Sequence, residues 1–170
     1  MKNCALKQAF FLSLILNAIF CVAADFNDGV VALVSGDSDT ALQILLPLAE
    51  GSDHALAQYF VGRIYDEGRG VSSRPEVAAI WYRKAGKKGV ADAQFRLGVM
   101  YEIGTGVPKD IEYAYAWYIV AGHLGSQQAL AAAEKLRGNL TSEQRPHAEK
   151  LSRAFVQEYG RTPKTTLRGK

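Results

Sequence analysis

Ten of the residues that recur in this chain at a fixed offset of 36 define its pattern. Gly62, Tyr65, Gly68, Gly70, Val71, Ala78, Trp81, Tyr82, Ala85 and Gly89 return as Gly98, Tyr101, Gly104, Gly106, Val107, Ala114, Trp117, Tyr118, Ala121 and Gly125. Both tryptophans of the chain are in the set. A period in the thirties marks stacked supersecondary units. Each is too small to bury its own apolar face, so the core forms only between neighbours.

Within each unit the apolar spacing is helical. Ala78, Trp81, Tyr82 and Ala85 fall at i, i+3, i+4 and i+7, on one helix face. Val61, Gly62 and Tyr65 share a face of the preceding helix, and Leu97, Gly98 and Tyr101 repeat it. Gly62 and Gly98 thus sit mid-helix, where glycine costs about 1 kcal/mol relative to alanine. Their recurrence predicts close approach of a neighbouring helix, with Trp81 or Trp117 expected in the space. Glu67-Gly68-Arg69-Gly70-Val71 and Ile103-Gly104-Thr105-Gly106-Val107 read as helix stops and turns, and Ser73-Arg74-Pro75 and Pro108-Lys109-Asp110 as starts.

The ends are degenerate, as the caps of an array are. Val30 to Val34, a turn at Ser35-Gly36-Asp37, and Ala41 to Glu50 read as a short hairpin, bent at Pro47. Ser126 to Arg137 continues the array, and Leu140-Thr141-Ser142-Glu143-Gln144 caps a last helix running to about Tyr159. Tyr115, Ile119 and Val120 replace Ala79, Arg83 and Lys84 of the previous unit, and the terminal helices are expected to cover them. The expectation is an all-α stack of about four hairpins.

Lys2 and Lys7, the apolar run Ala9 to Phe20, and Val22-Ala23-Ala24 have the three parts of a secretory signal, with cleavage expected after Ala24. Residues 1–24 are then a leader, 25–160 the repeat domain and 161–170 a basic tail. Within the domain, repeats of about 54–89 and 90–125 lie between caps at 25–53 and 126–160. Both cysteines, Cys4 and Cys21, leave with the leader, so no disulfide is expected despite a periplasmic or secreted destination. Losing Lys2 and Lys7 lowers the formal charge from +3 to +1, which gives no basis for a nucleic-acid partner. Membrane contact is not expected beyond a weak tail interaction.

The segments Ala57-Gln58-Tyr59, Gly62, Tyr65, Gly68, Gly70-Val71, Ala78, Trp81-Tyr82-Arg83-Lys84-Ala85 and Gly89 resemble the Sel-1-like repeat family, relatives of the tetratricopeptide repeats. A second copy runs from Ala93-Gln94-Phe95 through Gly98, Tyr101, Gly104, Gly106-Val107-Pro108-Lys109-Asp110 and Trp117-Tyr118. The resemblance implies a right-handed solenoid of antiparallel helix pairs. It also implies a role in protein–protein interaction, often at bacterial envelopes, and no reaction. Cysteine-rich secreted relatives staple each repeat with a disulfide. This chain lacks those cysteines, so penicillin binding proposed for that branch is not carried over.

No active site stands out. His54, His123 and His147 are far apart in sequence, and no Ser-x-x-Lys occurs. Gly68-x-Gly70 and Gly104-x-Gly106 follow helices and recur with the repeat, which makes them turns, not phosphate loops. No catalytic residue, cofactor or metal is expected. Binding is expected on the wall made by the first helices. Tyr59, Arg63, Asp66 and Glu67 form a stripe there, continued one repeat later by Phe95, Val99, Glu102 and Ile103. Asp92 lies near its start and Lys135 extends it. A mostly acidic, partly aromatic groove suits a protein partner with basic and apolar side chains. Reversing Asp66 and Glu102 is expected to weaken that binding without unfolding the chain. An envelope adaptor or assembly factor is the leading role. The alternatives are a periplasmic immunity protein that neutralises a toxin, and a cell-wall or glycan-binding protein or hydrolase.

Overall fold

The computed structural model describes residues 25–161; the expected leader, and the tail beyond Arg161, lie outside the described residues. The described chain is all helical: α1 Phe26–Val34, α2 Ser38–Glu50, α3 Ala55–Glu67, α4 Pro75–Lys87, α5 Ala91–Ile103, α6 Ile111–His123, α7 Gln127–Asn139 and α8 Gln144–Tyr159. Each helix from α1 to α7 packs on the next, so the helices stack in chain order. α1 starts earlier than Val30 because Asp25 caps it. The Asp25 side chain accepts from the Asn27 and Asp28 amides, and Asp28 accepts from the Asp25 amide in return. α2 runs through Pro47 to Glu50.

One contact repeats in both central hairpins. A methyl group placed on Gly62 would lie 2.8 Å from Cδ1 of Tyr82, and one on Gly98 would lie 2.6 Å from Cδ1 of Tyr118. The residue in the space beside each glycine is therefore a tyrosine, not the tryptophan expected from the sequence. The tyrosine ring lies close enough to the helix to exclude any Cβ. Trp117 instead packs toward Gly86 of the preceding second helix, where a Cβ would lie 3.5 Å from its Cζ3.

The units are joined by two further recurring contacts. The buried amides of Gln58 and Gln94 donate to the carbonyls of Ala49 and Gly86 at 2.9 and 2.8 Å, tying each first helix to the end of the preceding second helix. Gly70 lies against Ser38 and Gly106 against Pro75, each at the start of a second helix one unit back. At Gly106 a Cβ would sit 2.4 Å from the Pro75 carbonyl oxygen, so this turn tolerates no side chain.

The pattern fails after α7, and the residues show why. At the register of Gly62 and Gly98 the third unit has Glu134, and at that of Trp81-Tyr82 and Trp117-Tyr118 it has Arg153-Ala154. Leu140 and Ser142 replace the paired turn glycines. With no tyrosine and no notch to receive one, α8 does not close a fourth hairpin on α7. It lies along α6 and touches α4. Phe155 meets Trp117 edge-on at 4.9 Å, and Tyr159 stacks on Trp117 at 5.5 Å. The Tyr159 carbonyl accepts from Gln94 at 3.2 Å. Tyr115 and Val120 are buried in this arrangement, as expected, and Ile119 is half-buried.

Substitution of Gly98 by alanine should destabilise the fold by about 1–3 kcal/mol through overpacking, despite the helix-propensity gain. Gly138 lies in α7, and a methyl group added there would meet nothing within 4 Å. Gly138→Ala should instead stabilise by about 0.5–1 kcal/mol. Urea titrations of the two variants give the opposite signs if the notch is as described.

Candidate partner-binding surface

The Gly–Tyr register also decides what the first-helix stripe can offer. Asp66 lies one turn after Gly62, and Glu102 one turn after Gly98. Tyr82 donates its hydroxyl to Asp66 at 3.0 Å, and Tyr118 donates to Glu102 at 2.6 Å. Two of the carboxylates expected to face a partner therefore accept hydrogen bonds from buried phenols.

Glu67 is engaged as well. Arg63 Nε donates to it at 3.2 Å, Arg69 pairs with it, and Arg96 of the next first helix approaches to 4.0 Å. Burial raises the Glu67 carboxyl, but the hydrogen bond and charge of Arg63, with Arg69 beside it, outweigh that and hold it below its ordinary value. The Arg63 guanidinium also lies 5.9 Å from the Tyr59 ring and 5.8 Å from the Phe60 ring. The groove is thus not mostly acidic as expected from the sequence. Near Glu67 it is a network of mixed charge over aromatic rings.

The remaining stripe residues divide by burial. Tyr59 is half-buried, 6.0 Å from Tyr82; burial and then the Asp92 carboxylate push its phenol above the ordinary value. Phe95 is half-buried, 5.6 Å from Tyr118, and Val99 packs against the same cluster. Asp92, Ile103 and Lys135 are exposed, with Ile103 at 61%. Glu102 and Ile103 also line an open cleft of about 460 Å³ with Lys109, Ile111, Leu136, Asn139 and Gln144. The structure brings Tyr59, Arg63, Glu67 and Asp92 into one neighbourhood, and Glu102 with Ile103 into another.

Among the described residues, no group of three or more His, Cys, Asp and Glu side chains is placed to hold a metal. The histidines are apart. His54 caps α3, accepting from the Ala57 amide at 3.1 Å; His147 pairs with Glu112; and His123 closes α6. No described helix is long and apolar enough to cross a membrane.

The fold and this surface define an all-helical solenoid of stacked helix pairs with an open first-helix face. Residues 55–90 and 91–126 each match the family model of the Sel1 repeat, one residue later than the boundaries read from the 36-residue period. The structure is similar to that of a protective antigen of uropathogenic Escherichia coli displaying an SLR fold. That match has a TM-score of 0.74 at 28% identity, over 79% of this chain and 30% of the other. It is also similar to a Sel1 repeat protein from Oxalobacter formigenes, with a TM-score of 0.65 at 29% identity, over 79% of this chain and 56% of the other. The chain thus spans less than two thirds of either protein. No curated protein matches the sequence significantly.

Arg96 is the surface residue that sequence reasoning missed. Its register is occupied by Phe60 one unit earlier, so no recurrence drew attention to it.

The buried phenols make a pH prediction. Burial, with the adjoining carboxylate, pushes Tyr82 and Tyr118 far above their ordinary value of 10.0. Each tyrosine keeps its proton longer in the folded chain than in the unfolded one. This contribution is intact below pH 10 and is lost as pH rises through the folded values. Stability should fall above about pH 10 by at most ~1.4 kcal/mol per pH unit for each phenol. Urea melts from pH 8 to 11 check it: the double variant Tyr82→Phe, Tyr118→Phe should lose stability overall but show a flatter alkaline slope.

Proposed function

We propose that the chain is a protein–protein interaction module of the bacterial envelope, an adaptor or assembly factor that binds through its first-helix face. The observation that carries this reading is the division of labour on that face. The recurring residues are consumed by packing, while Asp92 and Ile103 on α5 and Lys135 on α7 remain exposed, with Ile103 beside an open cleft. Sel1 repeats generally mediate protein–protein contacts, which supports binding over catalysis.

Export is supported by the three-part leader read in the sequence. Cleavage after Ala24 would leave Asp25 as the N-terminus, with its amine 3.0 Å from the Asp28 carboxylate.

The experiment is affinity purification of the tagged, processed protein from its native envelope. It is run beside a variant carrying Asp92→Lys, Ile103→Asp and Lys135→Glu, with helicity confirmed by circular dichroism. One stoichiometric protein, lost in the variant, is the expected result. Equal recovery from both proteins places binding elsewhere, and recovery of the chain alone from both opposes the adaptor reading. Asp66 and Glu102 are unsuited to this test, because reversing either strands a buried phenol beside a cation. That reversal should cost about 1–3 kcal/mol of stability.

A further inference from the structure

The two ends of the stack are built with opposite chemistry. From Asp25 to Gly62 the chain has six carboxylates (Asp25, Asp28, Asp37, Asp39, Glu50 and Asp53) and no lysine or arginine. On the same terminal helix, Val31 and Val34 are 66% and 81% exposed, with the exposed Asp28 one turn before them. The N-terminal end is an apolar ridge in an acidic field.

At the other end, α8 and Ile119 of α6 line a groove of about 570 Å³. Ile119, Ala154 and Val156 give it apolar walls, and the exposed Lys150 and Arg153 stand at its margin with no carboxylate among its lining residues. Residues 126–161 carry six lysines and arginines against four glutamates. This end is an apolar groove with a basic rim.

Ridge and groove are complementary in both polarity and charge. They lie at opposite ends of the stack, so one molecule does not bring them together. We propose that the α1 ridge of one copy seats in the α6–α8 groove of a second copy, giving head-to-tail self-association. Val31 and Val34 meet Ile119 and Val156, while the acidic N-terminal hairpin faces Lys150 and Arg153. The contact is heterologous: each copy uses one end and leaves the other free, so it extends with concentration unless the rotation closes a ring. The opposed charges speed encounter and set its direction, and added salt screens them. None of Asp92, Ile103 and Lys135, the residues changed in the adaptor test, belongs to this ridge or groove, so the proposal stands or falls apart from the adaptor reading.

Sedimentation velocity tests it, on the protein purified as the expressing cell processes it. The wild-type chain should show mass that grows with concentration and shrinks with added salt. Val31→Asp with Val34→Asp breaks the ridge, and Lys150→Glu with Arg153→Glu breaks the groove. Either pair alone should weaken association by at least about tenfold, a cost of roughly 1.4 kcal/mol. Mixing the two variants should restore a one-to-one complex that grows no further, since one intact ridge and one intact groove remain. Circular dichroism confirms folding, and Val31→Ser with Val34→Ser serves if the aspartates disturb α1. A wild-type protein that stays monomeric at high concentration and low salt overturns the proposal. So does association sensitive to only one pair, or a mixture that forms no complex.

Discussion

A tyrosine ring pressed against a bare helix backbone sets the geometry on which the rest of the structure depends. Gly62 and Gly98 admit the rings of Tyr82 and Tyr118 at distances no Cβ could share. The close approach would bury a phenol hydroxyl, and an unpaired buried hydroxyl costs about 1–3 kcal/mol. The same first helix supplies the acceptor one turn on, as Asp66 or Glu102. Glycine, carboxylate and tyrosine act as one unit. The glycine allows contact, the ring fills it and the carboxylate satisfies the hydroxyl that contact would strand.

The third unit lacks that combination, and its two helices part. They keep the 36-residue spacing, and α7 occupies its place. Glu134 and Ala154 stand where glycine and tyrosine would lock the pair, so nothing draws α8 onto α7. The free energy goes instead to an aromatic cluster in which Phe155 and Tyr159 cover Trp117. Helix period and helix pairing are therefore separable in this fold. Periodicity places the helices along the chain, and in the two central hairpins the notch and ring hold each pair together.

That separation explains how much was legible in the sequence. The helices, their turns and the coverage of Tyr115 and Val120 followed from apolar spacing and glycine. The occupant of the notch did not, because Trp81 and Tyr82 are adjacent and recur together, so recurrence could not choose between them. The swing of α8 is written in the loss of glycine and tyrosine at 134 and 154, but only the structure reveals the role of that pair. On the surface, the recurrence of Asp66 and Glu102 has a reason inside the unit, since each accepts from a buried phenol. An acid that returns at the same register in every complete unit answers a demand of the unit itself.

A binding surface on a repeat array is better sought where the registers differ. Phe60 gives way to Arg96, Glu67 to Ile103, and Arg63 to Val99 and then Lys135. The Gly–Tyr contact that each central unit repeats does not require these changes. Arg96 illustrates the point, since it reaches back to Glu67 and joins two units through a pairing that no repeat rule requires. The ends of the stack extend the argument. α1 and α8 lie outside the two matched repeats, and there the chain leaves its most exposed valines at one end and a basic-rimmed groove at the other. Repetition builds the scaffold, and the individuality of this protein lies where repetition stops.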